Sequence, residues 1–454
     1  MAARKPVSAE VPGAGSGTAA GSGTAASSGS AEPSRPAETA RPNRARKRSA
    51  MVSTSRAGEL NRARLLKTLY AHGPLARPEL ARLTGSTRAT IGQIAQPLID
   101  EGVLEEHDPV SSGVRGGKPA RPVWFADDGW PVGAVLLLPH RVQLALVTAG
   151  GRIVTSTDLP IQADPAEHAA PADQADQAGP ADRGTAGHEA IVRQVTDGLK
   201  QVIAAATSPL RGIGIAVGGM VDTRTGHVIK VNQAPWLDGL AIGPEIARNI
   251  GIPAFVDLQP RAQALGDLLF GAGRGEDNLC SVYLGEGIGA GFILNGALHS
   301  GARGAGGEVG HAVLDLSGRL CTCGLTGCWE TMAATRWLRA EAQARGLRTA
   351  DPARLAQLSP TNRHAAELLS DYALNIAIGI ANIQQTLGSG LFVVHGDPVG
   401  AGEPLRVAIE THVRQRAFAH PGGPPRIAFA EPDDYATLRG AAVSVLFRSL
   451  HVAF

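Results

Sequence analysis

Three of the chain's four cysteines fall within eight positions, in the stretch CTCGLTGCWE at 321–330. Gly324 and Gly327 let the backbone there fold tightly enough to bring the sulfurs together. Three thiolates are one ligand short of a tetrahedral zinc site, and His311, in GGEVGH, stands ten positions before Cys321. The set His311, Cys321, Cys323 and Cys328 is Cys₃His, the donor combination of a closed structural zinc site. Two other arrangements fit the same cysteines: small buried hydrophobes, or one disulfide with a thiol to spare. The N-terminus has no apolar h-region, which predicts a cytoplasmic chain. In that compartment a structural disulfide is disfavoured and a metal favoured. Cys280, inside LCSVYL, reads as strand core.

A second group of residues has the chemistry of nucleic-acid contact. From about residue 56, Leu65, Leu66, Leu69 and Tyr70 recur at helical spacing. Gly73 and Pro74 stop that helix, and Pro78 suits the first turn of a second, RPELARLTG, with Leu80 and Leu83 inward. Thr87 is a natural N-cap for a third, TRATIGQIAQPLIDEG, in which Ile91, Ile94, Ala95, Leu98 and Ile99 share one face. The other face offers Arg88, Thr90 and Gln93 near the helix start, the end that a recognition helix presents to base edges in the major groove. Pro97 removes a hydrogen bond from this helix, so a bend is expected past the base-reading turn. VLEEH and RPVWF then read as two short strands joined by a loop rich in glycine and basic residues. Arg115, Lys118 and Arg121 in that wing would reach phosphates and the minor groove. Residues 56–126 are thus expected to form a winged helix-turn-helix that binds a double-stranded operator.

The rest of the chain must carry these two sites. A chain of 454 residues has room for two or three domains, and 43% hydrophobic residues can build real cores. Net charge is only +2, so a nucleic-acid surface has to be local. No apolar run approaches the roughly 20 residues of a membrane span. Residues 1–55 are mostly Ala, Gly, Ser, Pro and Thr and read as a disordered tail. Its basic cluster (Arg41, Arg44, Arg46, Lys47, Arg48) either adds salt-sensitive attraction to DNA or only solubilises. Residues 163–188 lack periodicity and read as a surface loop insertion. Beyond about residue 130, strand-like VGAVLLL, VQLALV, GIGIAVGG, PAFVDL, LCSVYL, GLFVVHG and RIAFA alternate with helical segments, an α/β pattern.

Within that body, VYLGEGIGAGFILNGALHSGARGAGGEVGH followed by CTCGLTGCWE closely resembles the ROK family of bacterial sugar kinases and related repressors. The resemblance runs from about residue 60 to the C-terminus. It implies a two-lobed body of the actin/hexokinase-like (ASKHA) fold, with a first lobe over 127–260 and a second over 261–454 holding the zinc site and a dimerisation surface. Members with a winged helix-turn-helix ahead of the body are typically transcriptional regulators. The family's kinases clamp phosphate and magnesium through an Asp-x-Gly-x-Thr loop. At the matching positions this chain has Leu136, Leu138 and His140. The family's Gly-Thr-Gly-Ile-Gly stands here as Gly285-Glu286-Gly287-Ile288-Gly289, where a glutamate would repel a triphosphate. Phosphoryl transfer needs both parts, so ATP binding is expected to be lost.

The resemblance also implies a sugar pocket. Asp257, in FVDLQP, matches the family's catalytic aspartate, but without a phosphate donor it could only hydrogen-bond a ligand. Glu308, His311 and Glu330 match sugar-contacting positions, with Asn232 and Gly219 less specifically placed. His311 would serve zinc through one nitrogen and sugar through the other. The asparagine that precedes the aspartate in the family is Val256 here, and Gln259 and Pro260 follow. The reading is therefore a homodimeric or homotetrameric repressor of carbohydrate genes. It would sense a sugar or sugar derivative through a catalytically dead kinase body. An active sugar kinase with an added head, and an effector-blind DNA-binding dimer, are the alternatives.

Overall fold

The computed structural model describes residues 54–108, 121–126, 128–161, 180–417 and 422–452, the side chains of 54–56, 180–186 and 303 aside. The basic cluster at 41–48, Arg115 and Lys118 lie outside the described residues. The chain opens with helix α1 (Thr54–His72), strand β1 (Leu75–Ala76), helices α2 (Arg77–Thr84) and α3 (Arg88–Asp100), and strands β2 (Leu104–Glu106) and β3 (Pro122–Phe125). The three strands form an antiparallel sheet in the order β1-β3-β2; the sequence pattern had shown β2 and β3 but not the two residues of β1. Gly73, at φ 84°, ends α1, a left-handed conformation that glycine adopts without strain. Thr87 accepts a hydrogen bond from the Thr90 amide at 3.1 Å, the cap expected of α3. Ile91, Ala95 and Leu98 are buried, and the helix runs on through Pro97 to Asp100.

The body holds two five-stranded sheets. The first contains β4 (Val132–Leu138), β5 (Arg141–Val147), β6 (Ile153–Pro160), β7 (Ile213–Val217) and β10 (Ala254–Leu258), ordered β10-β7-β4-β5-β6. Helices α4 (Pro180–Ile203) and α5 (Ile242–Ile250) cover one face of it, and a small hairpin, β8 (Met220–Asp222) with β9 (His227–Lys230), lies between them in sequence. Helix α4 starts at Pro180, inside the stretch expected to be loop to 188. Proline is well tolerated in a first helical turn, so its presence there did not exclude a helix. Helix α6 (Gln259–Phe270) follows β10 without a break.

The second sheet contains β11 (Leu279–Leu284), β12 (Ile288–Leu294), β13 (Ala297–Leu298), β14 (Leu391–Gly396) and β15 (Arg426–Phe429), ordered β13-β12-β11-β14-β15. Helices α7 (Glu330–Ala333), α8 (Thr335–Ala344), α9 (Pro352–Leu358), α10 (Arg363–Leu387) and α11 (Gly402–Arg416) pack on it. The last helix, α12 (Tyr435–Ser449), crosses back to the first sheet, where Leu438, Ala441 and Val445 pack on Ala134 and Leu136. It also crosses α6 at Gly266 and Gly440. A Cβ on Gly440 would lie 1.7 Å from the Ala262 carbonyl oxygen, so only glycine allows that approach. A boundary at 260 therefore separates the two sheets but not the helices.

The head and the body share one hydrophobic core. Leu65, Leu66, Leu69 and Tyr70 of α1 bury against Leu265, Leu268 and Leu269 of α6 and Val443 and Phe447 of α12. The Tyr70 ring stacks on Phe125 at 4.2 Å and meets the edge of Phe270 at 5.1 Å, and its hydroxyl donates to the Ala149 carbonyl at 2.6 Å. Arg62 donates to the Leu450 carbonyl at 2.8 Å, and Arg274 to the Tyr70 carbonyl at 3.2 Å.

Candidate functional site

The structure brings His311, Cys321, Cys323 and Cys328 together, with one donor atom from each lying within 4.8 Å of all the others. Cys321 Sγ is 3.6 Å from His311 Nδ1, and Cys323 Sγ is 3.7 Å from Cys328 Sγ. The loop achieves this by doubling back twice, through antiparallel bridges Val313–Cys328 and Leu320–Thr326. Gly327, at φ 76°, lies so close to Asp315 that a Cβ would stand 1.5 Å from its carbonyl oxygen. Trp329 anchors the end of the motif. Its indole donates to the Asn375 carbonyl at 2.9 Å, and its ring fills the space over Gly379 of α10, where a Cβ would come within 2.0 Å. Burial opposes ionisation of the Cys321 thiol, but hydrogen bonds from Cys323 and Arg336 outweigh it and lower the thiol's pKa. Burial and its sulfur neighbours raise the Cys328 thiol. Four convergent soft donors with one thiol poised to ionise suit a thiophilic divalent cation. Cys280 is fully buried in β11, as strand core.

Next to this cluster, a cavity of about 580 Å³ opens between the two sheets. Asn232, Gln233, Glu308, His311 and Glu330 line one end of it. Nε2 of His311 lies 3.3 Å from Asn232 Nδ2, so the ring turns one nitrogen to the sulfurs and the other to the cavity. Glu330, at the start of α7, is 2% exposed. Its Oε2 accepts from the Ile288 amide at 3.2 Å and from Gln233 at 3.4 Å, and its Oε1 from Arg336 at 3.0 Å. Arg336 also reaches Cys321 Sγ at 3.5 Å and so links the metal-binding loop to the cavity carboxylate. The Glu308 carbonyl accepts from the His311 amide at 3.1 Å, while its carboxylate takes part in no hydrogen bond among the described residues and is left to a ligand. Burial raises its pKa, and His311 opposes this. Gly219 lies on the cavity wall as expected.

Asp257 stands apart from this group. It does not line the cavity: its carboxylate accepts from the Leu258 amide at 2.8 Å and pairs with buried Arg261 at 3.3 Å. The side chain that the β10–α6 junction delivers to the cavity is Gln259. Asp257 keeps its place at the end of β10, but its carboxylate is engaged by Arg261 and the Leu258 amide. Gln259 heads a buried chain of hydrogen bonds. It donates to Gln263 at 2.7 Å, Gln263 to Ser281 at 2.9 Å, Ser281 to Asp267 at 2.6 Å, and His395 pairs with the same carboxylate at 2.8 Å. Gln259 stands where the resemblance places a second asparagine; no motif announced Arg336, and only the place of Gln233 directly after Asn232 hinted at that residue.

The cavity is also lined by Leu138, Pro139, His140, Arg141, Tyr283 and Glu286. Leu136 does not reach it and is fully buried against α12. Glu286 does line the cavity, paired with Arg339. Arg141 holds Asp158 at 2.7 Å and also pairs with Asp434, while Lys230 holds Asp238 at 2.9 Å. In the head, Arg88 and Gln93 are both exposed in the first turns of α3, Thr90 is half-buried against Thr87, and Arg121 is exposed just ahead of β3.

Residues 181–447 match the ROK family. The chain is 25% identical to the xylose repressor of Bacillus subtilis over 369 residues, which cover 80% of this chain and 89% of that protein. Among solved structures, a ROK-family transcriptional regulator homologous to Escherichia coli Mlc superposes with a TM-score of 0.68 at 24% identity, covering 87% of this chain and 98% of that one. A ROK hexokinase from Thermus thermophilus superposes at 0.57 and 24% identity, covering 71% of this chain and 99% of that one. Among the described residues no helix is long and apolar enough to cross a membrane.

Proposed function

This chain belongs to the ROK family, and from that premise we propose that it is a DNA-binding transcriptional regulator, a repressor of carbohydrate genes, whose body senses a sugar. The observation that carries the reading is the exposed, capped start of α3 on a head whose core continues into a body with a cavity. Residues 56–126 are read as a winged helix-turn-helix. Arg88, Thr90 and Gln93 meet base edges, and Arg115, Lys118 and Arg121 meet the backbone. The extent of the likeness supports this: a repressor and a regulator match four fifths of the chain or more, whereas the hexokinase matches 71%. Two copies related by a two-fold axis would read a palindromic duplex.

His311, Cys321, Cys323 and Cys328 would hold zinc, whose contribution is structural: it fixes the loop that carries Glu308 and His311 beside the cavity. Glu308, His311, Glu330, Asn232 and Gln233 would pair with sugar hydroxyls. A carboxylate suits this role because it accepts several hydrogen bonds in fixed directions. The body is read as catalytically silent. Leu136 offers no magnesium ligand, Asp257, which matches the catalytic aspartate, is paired with Arg261, and Glu286 stands where a triphosphate would need donors.

The route from ligand to DNA is short. Helix α6 begins in the cavity wall at Gln259 and Pro260 and ends at Phe270, against Tyr70 of the head. A ligand that favours one setting of α6 biases the head, provided it binds the two settings unequally. The test is operator binding by duplexes selected from a random pool. The full chain is expected to retain one sequence class, Arg88→Ala to lose about 1–3 kcal/mol at one base position, and a fragment from residue 127 onward to select nothing. Equal selection by that fragment would refute the reading.

A further inference from the structure

The cavity has an occupied-looking chemistry at one end and unassigned space at the other. The hydroxyl-pairing residues all gather at the Asn232–Glu330 end. A single pyranose, at about 180 Å³, would fill roughly a third of the 580 Å³ present. Leu138, Pro139 and His140 of the β4–β5 turn, and Tyr283, also line the cavity and take no part in those hydrogen bonds. No nucleotide need be housed there if the body is silent.

Charge limits what that space can take. Both strong cations on the cavity wall are already paired, Arg141 with Asp158 and Asp434 and Lys230 with Asp238. Three carboxylates line the wall as well, Glu286, Glu308 and Glu330. A phosphate monoester would meet those charges with no unpaired cation to receive it. The uncapped start of α6 adds only a partial positive charge, and Pro260 removes one of its amide donors. The lining groups outside those hydrogen bonds (a leucine, a proline and the rings of His140 and Tyr283) instead suit the face of a second sugar ring or of an apolar aglycone.

We propose that the effector is an unphosphorylated disaccharide or glycoside. Its first ring is held at Glu308, His311 and Glu330, and its second lies against Leu138, Pro139, His140 and Tyr283. The proposal rests on the sugar-sensing reading and narrows it.

The experiment is calorimetry and operator binding on the zinc-loaded full chain with glucose, xylose, maltose, cellobiose, xylobiose, 4-nitrophenyl glucoside and glucose 6-phosphate. At least one disaccharide or the glycoside is expected to bind about tenfold or more tightly than its constituent monosaccharide and to alter operator affinity. His140→Trp, which places bulk against the second ring from an exposed turn, is expected to erase that advantage. Binding of a monosaccharide as tight as any larger ligand overturns the proposal and leaves the sensing reading intact. So does a preference for the sugar phosphate, or an advantage unchanged in His140→Trp. If none of the probes binds or alters operator affinity, the sensing reading falls and the proposal with it.

Discussion

On its second-lobe side the cavity is held by directed bonds: Glu330 receives four hydrogen bonds, from Gln233, Ile288, Arg336 and Cys321, and four atoms that could hold a metal converge beside it. On its first-lobe side it is held by packing, with Leu136 and Leu138 buried against α12 and neighbouring strands. A polar wall tolerates little change, because removing one member leaves its partners buried and unpaired. An apolar wall can replace a carboxylate by leucine once no metal or phosphate is required of it. The two walls thus differ in how much substitution each can absorb.

The sharpest way to break the contrast is to remove a sulfur. Cys328 is fully buried and closes the metal cluster. Cys328→Ser is expected to lose zinc and to cost more than about 3 kcal/mol, since metal binding and folding of such loops are coupled. Elemental analysis and thermal unfolding in parallel check this. A metal-free variant as stable as the wild type would mean the wall stands without its staple.

Asp257 sharpens the contrast from the other side. If its role is to pair with Arg261 and not to meet ligand, Asp257→Ala should cost about 3 kcal/mol by stranding a buried guanidinium, while effector affinity falls little in the fraction that remains folded. Burial raises the Asp257 carboxyl and Arg261 only partly opposes this. The folded state therefore holds that proton more tightly than the unfolded chain. The resulting stability is fully present below the usual aspartate range and is lost as pH rises through the raised value. Urea titrations across that window should show the slope in the wild type and a flatter profile in the variant.

Much of this was legible in the sequence, and the failures are instructive. The cap at Thr87, the buried faces of α1 and α3, the named strands and the four converging donors all follow from local rules of spacing, capping and burial. The pairing of Asp257 with Arg261 was not legible, because a motif match says which position a residue holds and not which neighbour its side chain engages. Arg336 was missed because nothing in CTCGLTGCWE marks an arginine beyond it as the partner of Cys321 and Glu330. The fusion of head and body through Tyr70 and Phe270 joins residues 200 positions apart in the sequence, and no window-based pattern could display it.

Within the polar wall, Glu308 differs from Glu330 in that its carboxylate has no hydrogen-bond partner among the described residues. Glu308→Ala therefore removes ligand contacts without stranding a neighbour. It should weaken effector binding by about tenfold or more, on the order of 1–3 kcal/mol, and leave effector-free operator binding intact. Operator titrations with and without effector would check both halves, and equal effector responses in variant and wild type would mark the inherited pocket as vestigial.

The smallest effect is expected where the packed wall meets the former phosphate loop. Glu286 pairs with Arg339 at a partly exposed site, with side chains 32% and 58% exposed. Such pairs contribute about 0–1 kcal/mol, so Glu286→Thr should change stability by no more than about 0.5 kcal/mol. It also restores the loop residue that the family's kinases carry. If the glutamate alone excluded nucleotide, calorimetry with ATP and magnesium would now give a signal. A flat trace is expected instead, because Leu136 still supplies no carboxylate for the metal and Arg141 remains committed to Asp158 and Asp434. Binding of ATP by this one variant would show that the packed wall is only masked, and that the distance between regulator and kinase in this chain is a single residue.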